Sequence, residues 1–114
     1  MNSIRLKRLE SVLKKIISQT LSFEARDDRL QFIVINEVKL TQDLSYATVY
    51  FTYLSDIPKE KMVEILTRSS GFIKKHIAKE KVIRKIPKLK FVYDETEDRA
   101  RKLEEIFQKI HKKE

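Results

Sequence analysis

The sequence predicts an α+β fold in which a three-stranded sheet carries helices on one face. Apolar residues near the start recur at helical spacing, two later segments alternate apolar and polar side chains, and a long helical stretch separates these from a third alternating segment. Because such a crossover returns the chain to the same end of the sheet, the third strand is expected to lie parallel to the second.

The first 21 residues predict an amphipathic helix packed against a core. Their apolar side chains recur three or four residues apart, and Asn2 or Ser3 can cap the start of the helix. Arg5, Arg8 and Lys15 fall on the opposite side. We therefore expect this helix to have a basic outer surface.

The period then changes from helical to alternating, which predicts an antiparallel hairpin. In the first strand the even positions Phe32, Val34, Val38 and Leu40 alternate with Glu37 and Lys39, although Ile33 and Ile35 make the first half of the strand apolar on both faces. The second strand, ATVYFTYL, alternates in the same way, and the polar segment TQDLSY between the strands supplies turn-forming residues. One face of the hairpin is therefore expected to lie on the core.

Two helical pieces that meet at a kink are predicted after the hairpin. Pro58 suits the first turn of the first piece, because its missing N–H would have no partner there. Ser69, Ser70 and Gly71 then interrupt the helix, since serine competes for backbone hydrogen bonds and glycine loses the most conformational entropy on folding. The second piece begins at Phe72.

The last part of the chain predicts one strand and one helix. KLKFVYD follows the helix-ending Pro87 and alternates as a short strand. A helix over about residues 95–112 is expected after it, capped by Asp94 or Thr96. With no internal repeat and no low-complexity linker, residues 1–114 are expected to form a single domain.

The net charge of +8 is concentrated in one part of the chain. Residues 58–93 carry a net charge of +8 and residues 1–21 a net charge of +4, whereas the other two segments are net acidic. Between residues 68 and 90, nine basic residues stand against Glu80 alone. Because a solvated surface ordinarily mixes both signs, this stretch predicts an anionic polymer as the partner.

The composition argues against catalysis, cofactors and membrane insertion. The absence of cysteine excludes disulfides, thiolate metal sites and thiol nucleophiles, and the single glycine excludes Gly-rich phosphate loops. His76 and His111 lack the further ligands of a metal site, and neither Ser69 nor Ser70 has a base to activate it. No apolar run reaches the roughly 20 residues that cross a bilayer. We expect a soluble cytoplasmic protein that is not an enzyme, with no metal, cofactor, small-molecule substrate or membrane partner.

The predicted order αββααβ, with basic helices before the last strand, is the layout of a type II KH module. Ordinary KH domains clamp the nucleic-acid backbone with a GXXG loop, which Ser69-Ser70-Gly71 replaces here. The sequence resembles the bacterial ribosome-binding factor A family, whose KH-like domain has an interrupted helix with an Ala-X-Gly signature in place of that loop. The resemblance covers nearly the whole chain and is carried by DLSYATVYFTYL, SSGFIKKHIA and IRKIPKLKFVYDET. Ser69 departs from the usual alanine, and Ala100 from a common glycine.

The resemblance implies a non-enzymatic assembly factor. Such a protein binds the free small (30S) ribosomal subunit near its neck and supports late maturation of 16S rRNA, including processing of the 5′ end, and the family is linked to growth in the cold. The expected partners are therefore the 30S subunit and 16S rRNA, and the chain is expected to be a monomer. A general DNA- or RNA-binding protein, or a protein-interaction adaptor that uses the acidic hairpin or the last helix, are the alternatives.

Basic side chains are the predicted contacts to RNA phosphates. The first group comprises Arg68, Lys74, Lys75, Lys79, Lys81, Arg84 and Lys85, and the second comprises Arg5, Arg8 and Lys15. Tyr46, Tyr50 and Tyr53 are candidates either for stacking on bases or for packing in the sheet. With so little base-reading chemistry, we expect the chain to recognise shape and phosphate arrangement.

Overall fold

A computed structural model describes residues 3–24 and 27–96 of the chain. The helices and strands are α1 (Ser3–Gln19), β1 (Ile33–Leu40), β2 (Tyr46–Tyr53), α2 (Lys59–Arg68), α3 (Ser70–Lys79) and β3 (Lys88–Tyr93), with a π-helical turn over Thr20–Glu24 and a 3-10 turn over Asp28–Leu30. The helix expected over residues 95–112 lies outside the described residues apart from Glu95 and Thr96, which are helical. Ala100 and His111 also lie outside them.

The sheet has the strand order β1-β2-β3. β1 is antiparallel to β2, and β2 is parallel to β3. The N–H of Lys88 donates to the carbonyl oxygen of Ser45 at 2.9 Å, and the N–H of Asp94 donates to that of Phe51 at 2.8 Å. The predicted α+β class and the parallel third strand are therefore confirmed.

The core lies between one face of this sheet and the three helices. Its fully buried members include Leu13 and Ile17 of α1, Val49 and Phe51 of β2, Met62 and Leu66 of α2, and Ile73 and Ile77 of α3. The 3.6-residue period of each helix brings these side chains onto one stripe, and that stripe faces the sheet. The helices therefore cover one face of the sheet, as predicted.

β1 contains a bulge that its sequence pattern does not reveal. Ile35 pairs with Phe51 and Glu37 pairs with Tyr50, so that Asn36 is the extra residue between the two pairs. The Nδ2 of Asn36 donates to Oδ2 of Asp94 at 3.1 Å, which ties the bulge to the end of β3.

The bulge shifts the side-chain alternation of β1 by one residue. Ile33 and Ile35 are buried before it, and Val38 and Leu40 are buried after it. Phe32 and Val34 lie on the other face, with side chains 64% and 57% exposed, so that of the even-numbered apolar residues only Val38 and Leu40 face the core. One additional residue is sufficient to exchange the two faces, because side chains alternate with a period of two.

Ser69 alone separates α2 from α3. Its N–H donates to the carbonyl oxygens of Ile65 at 3.2 Å and Leu66 at 3.0 Å, and its Oγ donates to the same Ile65 oxygen at 3.1 Å. On the α3 side, the N–H of Ile73 donates to the carbonyl oxygen of Ser69 at 3.1 Å. A serine hydroxyl bonded to the carbonyl four residues earlier bends a helix, and the break falls within the segment 69–71 where the sequence predicts a kink.

Pro58 lies one residue earlier than predicted. It is the N-cap residue of α2, which begins at Lys59, and its carbonyl oxygen accepts the N–H of Met62 at 3.0 Å. The extended backbone of Pro58 (φ −59°, ψ 147°) leads the chain from the loop into the helix.

The fold makes no use of the conformational freedom of Gly71. This residue is exposed, its φ is not positive, and a Cβ placed on it would have no neighbouring atom within 4 Å. Glycine in a helix costs about 0.5–1 kcal/mol relative to alanine. The only glycine of the chain therefore weakens the isolated protein.

We expect the substitution Gly71→Ala to raise the free energy of unfolding by about 0.5–1 kcal/mol, because alanine lowers the backbone entropy of the unfolded state and finds open space in the folded one. The reverse change at an exposed position of the same helix, Ala78→Gly, should lower the free energy of unfolding by a similar amount. Urea unfolding of both variants measures these two changes in the free energy of unfolding. A loss of stability in Gly71→Ala would show that the backbone at this position does require glycine.

Candidate nucleic-acid interface

α3 has one buried side and presents lysines on the rest of its surface. Ile73 and Ile77 are buried, Lys75 and Lys79 are exposed, and Lys74 is half-buried. Among the described residues, none of these three lysines takes part in an ion pair. Their charges are therefore available to an anionic partner.

Arg68, at the end of α2, is in a different situation. Its guanidinium donates to the carboxylate of Glu64, one turn earlier, and Glu64 also lies 3.7 Å from the ammonium of Lys61. Exposed pairs of this kind contribute little stability. They do offset part of the positive charge of Arg68.

The linker from α3 to β3 holds its cations outward. Ile83 and Ile86 pack against the core and Pro87 is buried, whereas Arg84 and Lys85 between them are exposed. Apolar anchors on both sides of the two basic residues fix the course of this segment. The basic surface of α3 therefore continues along the linker.

The linker forms one wall of a groove of about 670 Å³. The N-terminal half of α1 and the β1–β2 turn complete it. Arg5 and Arg8 line it from α1, Arg84 and Lys85 line it from the linker, and Leu9, Val12, Leu44, Val82 and Ile83 supply aliphatic surface. The structure therefore brings cations of both predicted groups to one place. Lys15 is exposed on α1 but does not line this groove.

The β1–β2 turn is held by the carboxylate of Asp43. Its Oδ1 accepts the Oγ1 hydroxyl of Thr41 at 2.8 Å and the backbone N–H of Ser45 at 3.1 Å. The bonds from Ser45 and then that from Thr41 lower the pKa of Asp43 below its ordinary value of 3.8, and the charge of Lys85 acts in the same direction. Asp43 therefore orders the turn beside the groove while it remains ionised.

The effect of this carboxylate on stability depends on pH. A group whose pKa is lower in the folded than in the unfolded state stabilises the fold above its unfolded value and loses that effect as the pH falls through the folded value. We expect Asp43→Asn to lower the free energy of unfolding at neutral pH, and this difference from the wild type to shrink once the pH drops below the ordinary value of 3.8. Urea unfolding at several pH values measures it, with Asp56→Asn as the control for loss of an exposed carboxylate. A difference that stays constant across the acid range would contradict this role.

The three candidate tyrosines lie in two environments. Tyr53 packs against Phe51, with ring centroids 6.0 Å apart, and against Tyr93, at 5.7 Å, and its hydroxyl donates to the carbonyl oxygen of Ile57. Burial raises the pKa of Tyr53, with further contributions from Tyr93 and Glu60. Tyr53 therefore has a packing role. Tyr46 is exposed and Tyr50 half-buried, and their place in the strand alternation puts them on the sheet face away from the helices.

The described residues contain little reactive chemistry. His76 packs its ring against Phe72, with centroids 4.7 Å apart, and the Oγ of Ser69 donates to a backbone carbonyl. Within residues 3–24 and 27–96, no group of three or more histidine, aspartate or glutamate side chains is arranged to hold a metal ion. No helix in these two ranges is long and apolar enough to cross a membrane.

Comparison with known proteins identifies the family to which this fold belongs. The profile of the ribosome-binding factor A family matches residues 5–107. The chain belongs to this family. It is 37% identical to ribosome-binding factor A of Finegoldia magna, over 97% of this chain and 94% of the relative. It is 36% identical to that of Staphylococcus epidermidis, over 98% and 97%.

Structures of ribosome-binding factor A share the architecture. The crystal structure of the Thermus thermophilus protein superposes with a TM-score of 0.69 and 24% identity, over 77% of this chain and 94% of that one. The solution structure of a candidate member from Thermotoga maritima gives a TM-score of 0.68 and 34% identity, over 81% and 89%. The predicted family and KH-like fold are therefore confirmed, and family membership makes the chain a ribosome-associated assembly factor.

The aliphatic part of the groove was not predicted from the sequence. Val12 belongs by its spacing to the core stripe of α1, yet it is 40% exposed, and Val82 is 39% exposed. One signal was available, because Val82 and Ile83 are apolar residues inside the most basic part of the chain.

Proposed function

We propose that the chain binds the free 30S subunit through the cations of α3 and the following linker, and that this binding supports late maturation of 16S rRNA, including processing of its 5′ end and growth in the cold. It acts without catalysis, as a cytoplasmic monomer in which residues 1–114 form one domain. The observation that carries the proposal is the one-signed surface of α3, where Lys74, Lys75 and Lys79 have no acidic partner among the described residues.

The physical basis of binding is charge neutralisation. A lysine or arginine that contacts a phosphate releases condensed counterions from the RNA, and this release supplies affinity that falls steeply with salt. Lys75 and Lys79 are one helical turn apart, and Arg84 and Lys85 extend the same surface along the linker. Several phosphates can therefore be contacted at once by side chains whose backbone is fixed by core packing.

A relative supports the proposal that the 30S subunit is the particle to which this chain binds. A homology model of Thermus thermophilus ribosome-binding factor A was fitted into a cryo-electron-microscopy map of a 30S complex. That chain superposes on this one with a TM-score of 0.64, over 78% of this chain and 94% of that one. Its sequence identity is 24%, so the likeness supports a common shape.

Maturation follows from differential affinity. A factor that binds one arrangement of precursor rRNA more tightly than the mature arrangement stabilises the first, and it dissociates when the second has formed. A rigid basic surface suits this role, because its charges keep their spacing while the RNA changes around them. Processing enzymes then act on rRNA that is held in a suitable conformation.

The test reverses three charges on α3. We expect the triple variant Lys74→Glu, Lys75→Glu, Lys79→Glu to lose co-sedimentation with free small subunits, while its circular dichroism and melting temperature stay close to those of the wild type. If each lysine neutralises one phosphate, the slope of log affinity against log salt should also fall by about 2–3 in magnitude. Ultracentrifugation through sucrose at several salt concentrations measures both.

A matched control reverses three exposed lysines elsewhere, with Lys7→Glu, Lys14→Glu and Lys39→Glu. It changes the net charge by the same amount but should retain subunit binding. If the α3 variant binds subunits as tightly as the wild type, the assignment of the binding site to α3 is wrong. If the two triple variants lose the same amount of binding, net charge alone explains the loss. Binding of duplex DNA as tightly as subunits at physiological salt would favour a general nucleic-acid-binding protein instead.

The same two variants test maturation. In cells that depend on this chain, the α3 variant should accumulate 16S rRNA with an unprocessed 5′ end and slow growth at low temperature, and the control should do neither.

A further inference from the structure

We propose that the groove between α1, the β1–β2 turn and the α3–β3 linker binds an unpaired RNA nucleotide. The base would lie on the aliphatic floor, and the phosphates on either side of it would contact the two basic walls. This inference rests on the proposed function and deepens it, because it makes the chain sensitive to which nucleotides of the rRNA are unpaired.

The floor offers apolar surface to a flat ligand. Val12 and Val82 are 40% and 39% exposed, and Leu44 and Ile83 beside them are half-buried against the core. Covering such surface is favourable because it removes apolar area from water. The volume of about 670 Å³ lies in the range of small-molecule sites, so that a nucleoside fits within it.

The walls offer cations on two sides of this floor. Arg5 and Arg8 line the groove from α1, and Arg84 and Lys85 line it from the linker. Guanidinium groups bind phosphate oxygens in pairs and also stack on bases. The one acidic lining residue, Asp43, is engaged by Thr41 and Ser45 in the turn.

Several energetically unfavourable features lie at this groove. Leu44 and Lys81 have positive φ angles of 63° and 53°, a conformation that costs energy in residues with a Cβ. Leu44 lines the groove and Lys81 immediately precedes Val82. The first turn of α1 contains no acidic residue, and Arg5 lies at the positive end of the helix dipole. Such costs are typical of binding sites.

The arrangement favours an RNA strand over an acidic peptide. In a strand every base has a phosphate on both sides, which matches a floor between two basic walls. Exposed lysines also lie between α3 and the linker wall, with Lys79 and Lys81 on either side of the exposed Glu80, and a polyanion that contacts them is brought close to the groove. A base in a duplex is stacked and paired and cannot reach the floor. The groove should therefore discriminate between single-stranded and double-stranded RNA.

The test replaces apolar side chains of the floor with polar ones and leaves every charge in place. We expect the double variant Val12→Ser, Val82→Ser of the full chain to bind an unstructured oligoadenosine about five- to tenfold more weakly than the wild type, because less apolar surface is then removed from water when the base covers the floor. Binding of a blunt RNA duplex of the same length should not change. Val34→Ser, the same substitution at a residue 57% exposed on the opposite face of the sheet, is the matched control and should bind both RNAs as the wild type does. Fluorescence anisotropy at one salt concentration measures the affinities of the three proteins for the two RNAs, six in all.

Two further measurements keep the result decisive. If the melting temperature of the serine variant falls, the double variant Val12→Thr, Val82→Thr is tested in its place, because threonine keeps the shape of valine and still makes the floor polar. In the wild type, the methyl resonances of Leu44 and Val82 should shift on addition of oligoadenosine and not on addition of the duplex.

The proposal is overturned if the floor variants lose affinity for neither RNA, or equally for both. It is also overturned if a glutamate- and leucine-rich peptide, and not oligoadenosine, binds in a floor-dependent way, since the groove would then be a protein-docking surface. If only the groove proposal is wrong, the α3 variant still loses subunit binding and its control still retains it. If the wild type does not bind free subunits, the proposed function itself fails.

Discussion

The parallel pairing of β2 with β3 is the constraint on which the rest of the structure depends. The bond from the N–H of Lys88 to Ser45 fixes the start of β3 beside the β1–β2 turn, so the chain must travel from one end of the sheet back to the other. α2 and α3 cover the core during this return. The linker therefore arrives next to the turn and to the N-terminal half of α1, where its cations meet those of the first helix.

The same return path explains why the positive charge forms a surface. The interruption at Ser69 allows Met62 and Leu66 on one side of it, and Ile73 and Ile77 on the other, to pack in one core. Lysines occupy the faces of α3 that do not pack in the core. Glycine at an exposed position of α3 weakens the isolated fold, and so do cations near the N-terminus of α1.

Much of the architecture could be predicted because local patterns agree with it. The change of hydrophobic period locates helices and strands, the length of the crossover sets the parallel strand, and one-signed charge identifies the face of α3. The bulge at Asn36 could not be predicted, since Ile33 and Ile35 compete with Phe32 and Val34 for the same face and both sets are apolar. The groove has no sequence signature either, because its floor is assembled from α1, the β1–β2 turn and the linker, which are distant in the chain. Its two basic walls were predicted as separate groups, and only the fold brings them together.

Lysine acetylation of the full chain, free and bound to the free small subunit, is the most direct test of the central claim. Mass spectrometry then gives the reactivity of each lysine in both states. If the cations of α3 and the linker contact the rRNA, Lys74, Lys75, Lys79, Lys81 and Lys85 are strongly protected in the complex, while Lys7, Lys14 and Lys39 react as they do in the free protein. Protection of the second set with continued reactivity of the first, or equal protection of all, would contradict this assignment of the binding surface.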